Sequence, residues 1–268
     1  MQQDHLKAAL LAIEEPPLNF TVIFSGKQSK RVNGLYKPES REIIIHNRNF
    51  TDDNLLLYTA IHEYAHHLHA CAQGGRLGSR AHTAAFWAIF HHLLGLAETK
   101  GVYKNVFATS PELNRLTEII KERYLKENGV LMRELGMHLL KAEALCQAIG
   151  GRFEDYIDRV LCIPRTAATT AVKLHQYQLN PAVGPDNMRF LAGIRDPKAR
   201  GAAETALLEG NSPDTVRIQA RNGLAGLLMP PEEPQLRLEK EKKRLERTIA
   251  SLSKRLEELT QELTRYEA

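Results

Sequence analysis

The stretch that decides the fold is Ala60-Ile61-His62-Glu63-Tyr64-Ala65-His66, which carries the pattern H-E-x-x-H inside a largely apolar run. On a helix, residues four apart lie on one face, about 6 Å from each other, so both histidines can point at one cation. Glu63 turns aside from this pair, where its carboxylate can handle a water bound to the metal. The stretch therefore predicts a helix that holds a zinc site, with Glu63 as the catalytic base.

A catalytic zinc site needs a third protein ligand and one open position. His82 follows the glycine-rich segment 74–78, and Ser79 can cap a second helix that places His82 in its first turn. We expect His82 to be the third ligand, with Glu98 as the alternative. The other nearby histidines are too distant along the helix axis, point off the ligand face or fall within the next helix: His67, His69, His91 and His92.

The residues around the motif carry a family resemblance. HEYAHHL, a glycine-containing loop and then His82-Thr83-Ala84-Ala85-Phe86-Trp87 resemble the SprT-like metallopeptidases. Upstream, Asn33-Gly34-Leu35-Tyr36 and Glu42-Ile43-Ile44-Ile45-His46 are similar to the G-x-Y hairpin and the following strand of that family. Over residues 15–100 the resemblance implies a zinc peptidase that acts on proteins bound or crosslinked to DNA. It implies ligands at His62, His66 and His82 and a general base at Glu63.

One departure from the family pattern is the lack of a cysteine-rich zinc ribbon after this region, which many relatives carry. The three cysteines of the chain, Cys71, Cys146 and Cys162, stand at unrelated spacings, which is typical of a reducing compartment. The chain has 268 residues and a net charge of +4, so overall charge argues little for nucleic acid. Without a signal peptide or a membrane-spanning run, we expect a cytoplasmic protein with no membrane partner.

The amino-terminal region is predicted to be an α+β zincin-like domain over residues 1–108. It begins with a helix at 4–14. A small sheet beneath the active-site helices is formed by a strand at 20–24 and a hairpin built from 31–36 and 42–46. An edge strand beside the metal cleft could pair with an extended peptide, or it could only shield the core.

An all-α domain is predicted over residues 109–228. Helices at 111–128 and 131–149 precede a helix at 152–161, a three-residue turn at 162–164 and a helix at 165–178, which is the helix-turn-helix plan. Residues 159–185 contain no acid, which favours DNA contacts, although ordinary helical hairpins have the same outline. The segment 184–216 weakly resembles the helical part of ParB-type DNA-binding proteins. The predicted DNA contacts are Arg165, Thr166, Thr169, Thr170, Lys173 and Gln176.

The carboxyl-terminal segment is predicted to be a coiled coil over 236–268, after a Pro-rich linker at 229–235. This pattern predicts a homo-oligomer, or pairing with another helix. The two seams are Leu238, Leu245, Leu252, Leu259 and Tyr266, and Lys242, Ile249, Leu256 and Leu263.

These patterns together predict a zinc metalloendopeptidase that acts on DNA-associated proteins through an attached DNA-binding region. The alternative is a DNA-binding transcriptional regulator whose zincin domain is a sensor or cleaves a single partner, as in the ImmA/IrrE-like proteins. A third hypothesis is a metal kept only for structure, against which an intact Glu63 argues.

Overall fold

The computed structural model describes residues 1–75 and 81–222, together with the single positions 242, 246, 249, 253 and 256. The described protein is mostly helical and contains a small three-stranded mixed sheet. The strands are β1 (Thr21–Phe24), β2 (Gly34–Lys37) and β3 (Glu42–Ile45). The helices are α1 (Gln3–Ile13), α2 (Asp53–Ala72), α3 (Ala84–Thr99), α4 (Pro111–Ile119), α5 (Glu127–Ala148), α6 (Phe153–Asp155), α7 (Arg165–Gln176), α8 (Pro185–Ala192), α9 (Pro197–Leu208) and α10 (Pro213–Asn222).

The sheet has the order β1-β3-β2, so β2 forms one of its edges. β3 pairs in parallel with β1 and antiparallel with β2, with Tyr36 opposite Ile43. Ile43 and Ile45 are fully buried and belong to one core with residues of α1, α2 and α3. The predicted small sheet packed against helices is therefore confirmed.

The sequence offers Thr51 or Asp52 as the cap of helix α2, and the helix begins at Asp53. Asp52 caps it, because its carboxylate accepts hydrogen bonds from the backbone amides of Asn54 and Leu55. Most of the helix from Leu56 to Ala70 is buried, so it is anchored on the core along the length that carries the histidines.

The two predicted helices of residues 111–149 form one helical segment, because α4 continues through a π-helical stretch at Ile120–Lys126 into α5. The prediction of a break at Asn128-Gly129 is wrong. Gly129 is buried there, and a Cβ on it would lie 2.8 Å from the carbonyl oxygen of Pro181. The glycine thus permits close packing on the next element instead of ending the helix.

The predicted helix, three-residue turn and helix are present. α6 continues as a π-helical stretch at Tyr156–Leu161, Cys162 adopts a left-handed conformation with φ 53°, and α7 follows. α7 ends at Gln176, two residues before the predicted end. It packs closely on α5, since a Cβ on Gly136 would lie 2.0 Å from the carbonyl oxygen of Ala171.

The last described helix, α10, contacts both halves of the protein. Its Val216 is buried in the core formed with residues of α7, α8 and α9. It also packs against α3, where Ser212 Oγ and His91 Nδ1 are 2.6 Å apart. The predicted boundary near residue 108 stays a prediction.

The Pro-rich linker and the predicted coiled coil over 236–268 lie outside the described residues, apart from the five single positions given above. Among the helices that are described, none is both long and apolar enough to cross a membrane.

Candidate metal centre

Three histidine side chains converge at the middle of α2. Nε2 of His82 lies 3.1 Å from Nε2 of His62 and 3.2 Å from Nε2 of His66. One ligand atom from each of the three lies within 4.8 Å of those of the others, which is close enough to bind a single metal ion. A neutral imidazole carries only one N–H, so three such nitrogens facing one another leave lone pairs that a cation can satisfy.

His82 reaches the pair from just outside α3. Thr83 caps that helix, because its hydroxyl accepts a hydrogen bond from the amide of Phe86, and the helix begins at Ala84. The prediction that Ser79 caps the helix with His82 in its first turn is therefore wrong, and Ser79 lies outside the described residues. Glu98, the alternative ligand, lies near the far end of α3, about 20 Å along the helix from its start.

Burial keeps the two helix histidines in the neutral form. It lowers the pKa of His62 to about 4, with a smaller effect in the same direction from His82. It also lowers the pKa of His66 to about 3, again helped by the neighbouring histidines. Nδ1 of His66 is buried and has no hydrogen-bond partner in the described part of the chain. Neutral imidazole is the form that binds metal, so the burial favours ligation over protonation.

Aromatic rings fix the orientation of the histidines. His66 stacks on Phe86 with ring centroids 4.1 Å apart, and His82 stacks on Trp87 at 5.5 Å. Because Phe86 and Trp87 lie in the first turn of α3, the start of that helix orients two of the three candidate ligands.

Glu63 lies against the edge strand of the sheet and is only 7% exposed. Burial raises the pKa of its carboxyl group to about 7, while a hydrogen bond from the backbone of Tyr36 acts in the opposite direction. A Cβ on Gly34 would lie 2.9 Å from Glu63 Cγ and 3.0 Å from Thr59 Cγ2. The glycine in β2 therefore makes room for this carboxylate. A pKa near 7 suits a group that transfers protons at neutral pH.

A buried hydrogen-bond network joins β2 to α2 behind Glu63. The Tyr36 hydroxyl lies 3.0 Å from His67 Nδ1, and His67 Nε2 lies 2.8 Å from the carbonyl oxygen of Leu18. Since a carbonyl only accepts, Nε2 carries the ring hydrogen and Nδ1 accepts from the tyrosine. Burial raises the pKa of Tyr36 to about 12, so it remains a donor. Sequence reasoning placed His67 off the ligand face but missed this role, which the adjacent G-x-Y motif could have indicated.

The histidines and Glu63 line a cleft of about 430 Å³. β2 and the residues before it form one wall, and α2 forms another. The side chains of Val32, Leu35 and Tyr58 line the cleft and are each more than 40% exposed. An extended chain lying beside β2 would therefore meet apolar side chains next to the histidine cluster.

The six predicted DNA contacts all lie on α7, on the side opposite its buried residues Ala168, Ala171 and Leu174. One of their two cations is compensated, because Arg165 forms a bidentate ion pair with Asp158. The hydroxyls of Thr169 and Thr170 donate to carbonyls one turn back. In the part of the chain that the structure describes, Lys173 is the cation of the set without an ion pair.

Comparisons with known proteins returned no match: no family model, no curated protein and no solved structure aligns with this chain.

Proposed function

We propose that the protein is a zinc-dependent endopeptidase whose ligands are His62, His66 and His82. The observation that carries the proposal is the convergence of three imidazole nitrogens beside a buried carboxylate in an open cleft. Two tetrahedral nitrogen ligands of zinc lie about 3.3 Å apart, given Zn–N bonds of about 2.0–2.1 Å. The distances of 3.1 and 3.2 Å fit this spacing.

Zinc held by these nitrogens would lower the pKa of a bound water and polarise the substrate carbonyl group. Glu63 would accept the proton of the attacking water and deliver it to the departing amine. The raised pKa of Glu63, about 7, suits a group that must both take and return a proton near neutral pH. The outer edge of β2 would align the peptide by backbone hydrogen bonds, and Gly34 would keep that strand close to Glu63.

The test replaces Glu63 by Gln. The variant should bind one zinc per chain, as the wild type does, but lose peptidase activity by about 10²- to 10⁴-fold, because an amide cannot accept the proton. Zinc content is measured on both proteins, and hydrolysis is followed on casein and on a DNA-bound protein. Equal cleavage by both proteins would refute Glu63 as the base.

A DNA-binding role for α7 is our second proposal, and the protein substrate would then be one held on DNA. Its support is the three-residue turn at 162–164 together with the polar, exposed face of α7. The alternative function, a DNA-binding regulator with a sensor domain, is distinguished by the same assay. Such a protein would bind DNA and zinc and leave general protein substrates uncleaved.

A further inference from the structure

Exposed cations precede the cleft-lining residues Val32 and Asn33 in the chain. The loop that joins β1 to β2 carries Lys27, Lys30 and Arg31, and the short turn at Asn47–Asn49 beside it carries Arg48. We call these four residues the cationic rim. Within residues 1–75 and 81–222, none of the four forms an ion pair, in contrast to the arginines near α7. Their charge is therefore available to a partner.

The loop that carries the cationic rim is held in place by side chains of the neighbouring turn. Asn49 accepts a hydrogen bond from the amide of Ser29 and donates to the Ser29 carbonyl and to Asn33 Oδ1. Asn47 accepts from the amide of Gly26. A loop fixed in this way presents its charges at defined positions, so binding does not require the backbone to become ordered.

We propose that the cationic rim binds acidic side chains of a peptide whose scissile bond lies in the cleft. This inference rests on the proposed function, because the cleft is taken as the place of peptide hydrolysis. Val32 and Asn33 line the cleft, and Arg31 precedes them directly. β2 begins at Gly34, so a strand paired with it reaches Arg31 and Lys30 with its next three or four residues, at about 3.3 Å per residue. Acidic residues on one side of the scissile bond would therefore meet these cations.

Nucleic acid fits this surface less well. Phosphate-binding loops usually present free backbone amides, but here five amides of the loop donate to Ser25, Ser29, Asn47 or Asn49. Single-stranded nucleic acid also needs aromatic side chains for stacking, and residues 25–33 contain none. The amides engaged in this way are those of Gly26, Lys27, Ser29, Arg31 and Val32.

The test uses three peptides of one core sequence, with a pair of aspartates before the scissile bond, after it, or replaced by asparagines. Binding is measured by fluorescence anisotropy on the zinc-loaded Glu63→Gln protein, and hydrolysis on the wild type. One aspartate peptide should bind and be cleaved about 3- to 10-fold better than the asparagine peptide, as two exposed ion pairs would allow. The preference should weaken as ionic strength rises.

The double variant Lys30→Glu with Arg31→Glu should remove or reverse this preference. The matched control is Arg115→Glu with Lys121→Glu, which makes the same charge change at two exposed positions of the segment 111–126. An equal preference in both double variants, or none in the wild type, would overturn the proposal. The proposal would also be overturned if an oligonucleotide displaced the asparagine peptide from the wild type but not from the Lys30→Glu, Arg31→Glu variant. If no peptide is cleaved but the aspartate preference in binding persists, the hydrolytic function fails and the cationic rim stands.

Discussion

The histidine cluster of α2 and the polar face of α7 are both predicted from sequence as binding surfaces, yet their polar groups are arranged in opposite ways. Around His62, His66 and His82 the imidazoles face one another, and burial holds the pKa values of His62 and His66 low. On α7 the principal cation, Arg165, already faces Asp158, and Arg159 in the preceding helical stretch faces Asp155.

Residue type and helical spacing therefore predict which side chains share a face, but not whether their charges are free. The three imidazole nitrogens present lone pairs that a metal ion can satisfy. A paired arginine attracts a phosphate only weakly, because the neighbouring carboxylate cancels most of its electrostatic field. The two surfaces therefore differ in how strongly the structure supports a ligand.

The largest expected effect is on metal binding. His82→Ala should weaken zinc affinity by more than about 100-fold, since losing even an outer-shell partner costs about 10- to 100-fold. Glu98→Ala is the matched control and should leave the affinity unchanged, because Glu98 lies outside the histidine group. Competition titration with a chromophoric chelator measures both. Full zinc retention by His82→Ala would remove it as a ligand.

The packing that seats α7 is tested by a smaller change. Gly136→Ala places a Cβ 2.0 Å from the carbonyl oxygen of Ala171, so the two helices must separate. We expect a loss of about 1–3 kcal/mol in the free energy of unfolding, typical of overpacking. Gly95→Ala is the control: no atom lies within 4 Å of its added Cβ, so it should stabilise by about 0.5–1 kcal/mol. Chemical denaturation measures both, and equal values would contradict the close α5–α7 contact.

Much of the candidate site follows from spacing that a helix imposes. The i, i+4 histidines, the Asp52 cap and the three-residue turn before α7 depend on contacts within a few residues, and all are present. Contacts between distant residues are harder to predict. The approach of Gly34 to Glu63 and the hydrogen bond between Tyr36 and His67 depend on how the sheet docks on α2.

Glycine shows most clearly what a local sequence pattern leaves undecided. The sequence predicts that a helix ends near Gly129, because glycine commonly follows the last residue of a helix, but its tertiary contact with Pro181 decides its role. In the same way Thr83 caps α3 where the sequence predicts Ser79, although serine is the more favoured cap of the two residue types. Local propensity left these choices open, and packing decided them.

Lowering the pH should destabilise the metal-free protein. The pKa values of His62 and His66 fall to about 4 and 3 in the folded state, against 6.5 when unfolded. Between pH 6.5 and about 4 the unfolded chain thus binds protons that the folded histidines do not, so stability declines as the pH falls. Glu63 opposes this, because its folded pKa of about 7 lets the folded state bind a proton first.

The melting temperature, measured in chelator across this range, should therefore fall with pH, and fall more steeply in Glu63→Gln. The steeper fall follows because the amide removes the opposing titration of Glu63. A wild-type melting temperature that stays constant or rises toward pH 4.5 would show that the histidines are not held neutral by burial.

The smallest expected effect concerns DNA binding by α7, where the ion pair itself can be used as the test. If α7 contacts phosphates, Lys173→Ala should reduce the slope of log affinity against log salt by about 0.9, the value for one contact. Arg165→Ala should add less than this, because Asp158 already neutralises the guanidinium. Asp158→Asn should instead strengthen binding by releasing Arg165.

The matched control is Asp186→Asn, which releases Arg189 on α8 by the same chemical change. Anisotropy titrations of duplex DNA at two salt concentrations measure all four variants. If Asp158→Asn gains no affinity over Asp186→Asn, or the wild type binds no DNA at low salt, α7 is not a DNA-binding surface. Its polar face then belongs to an ordinary helical hairpin.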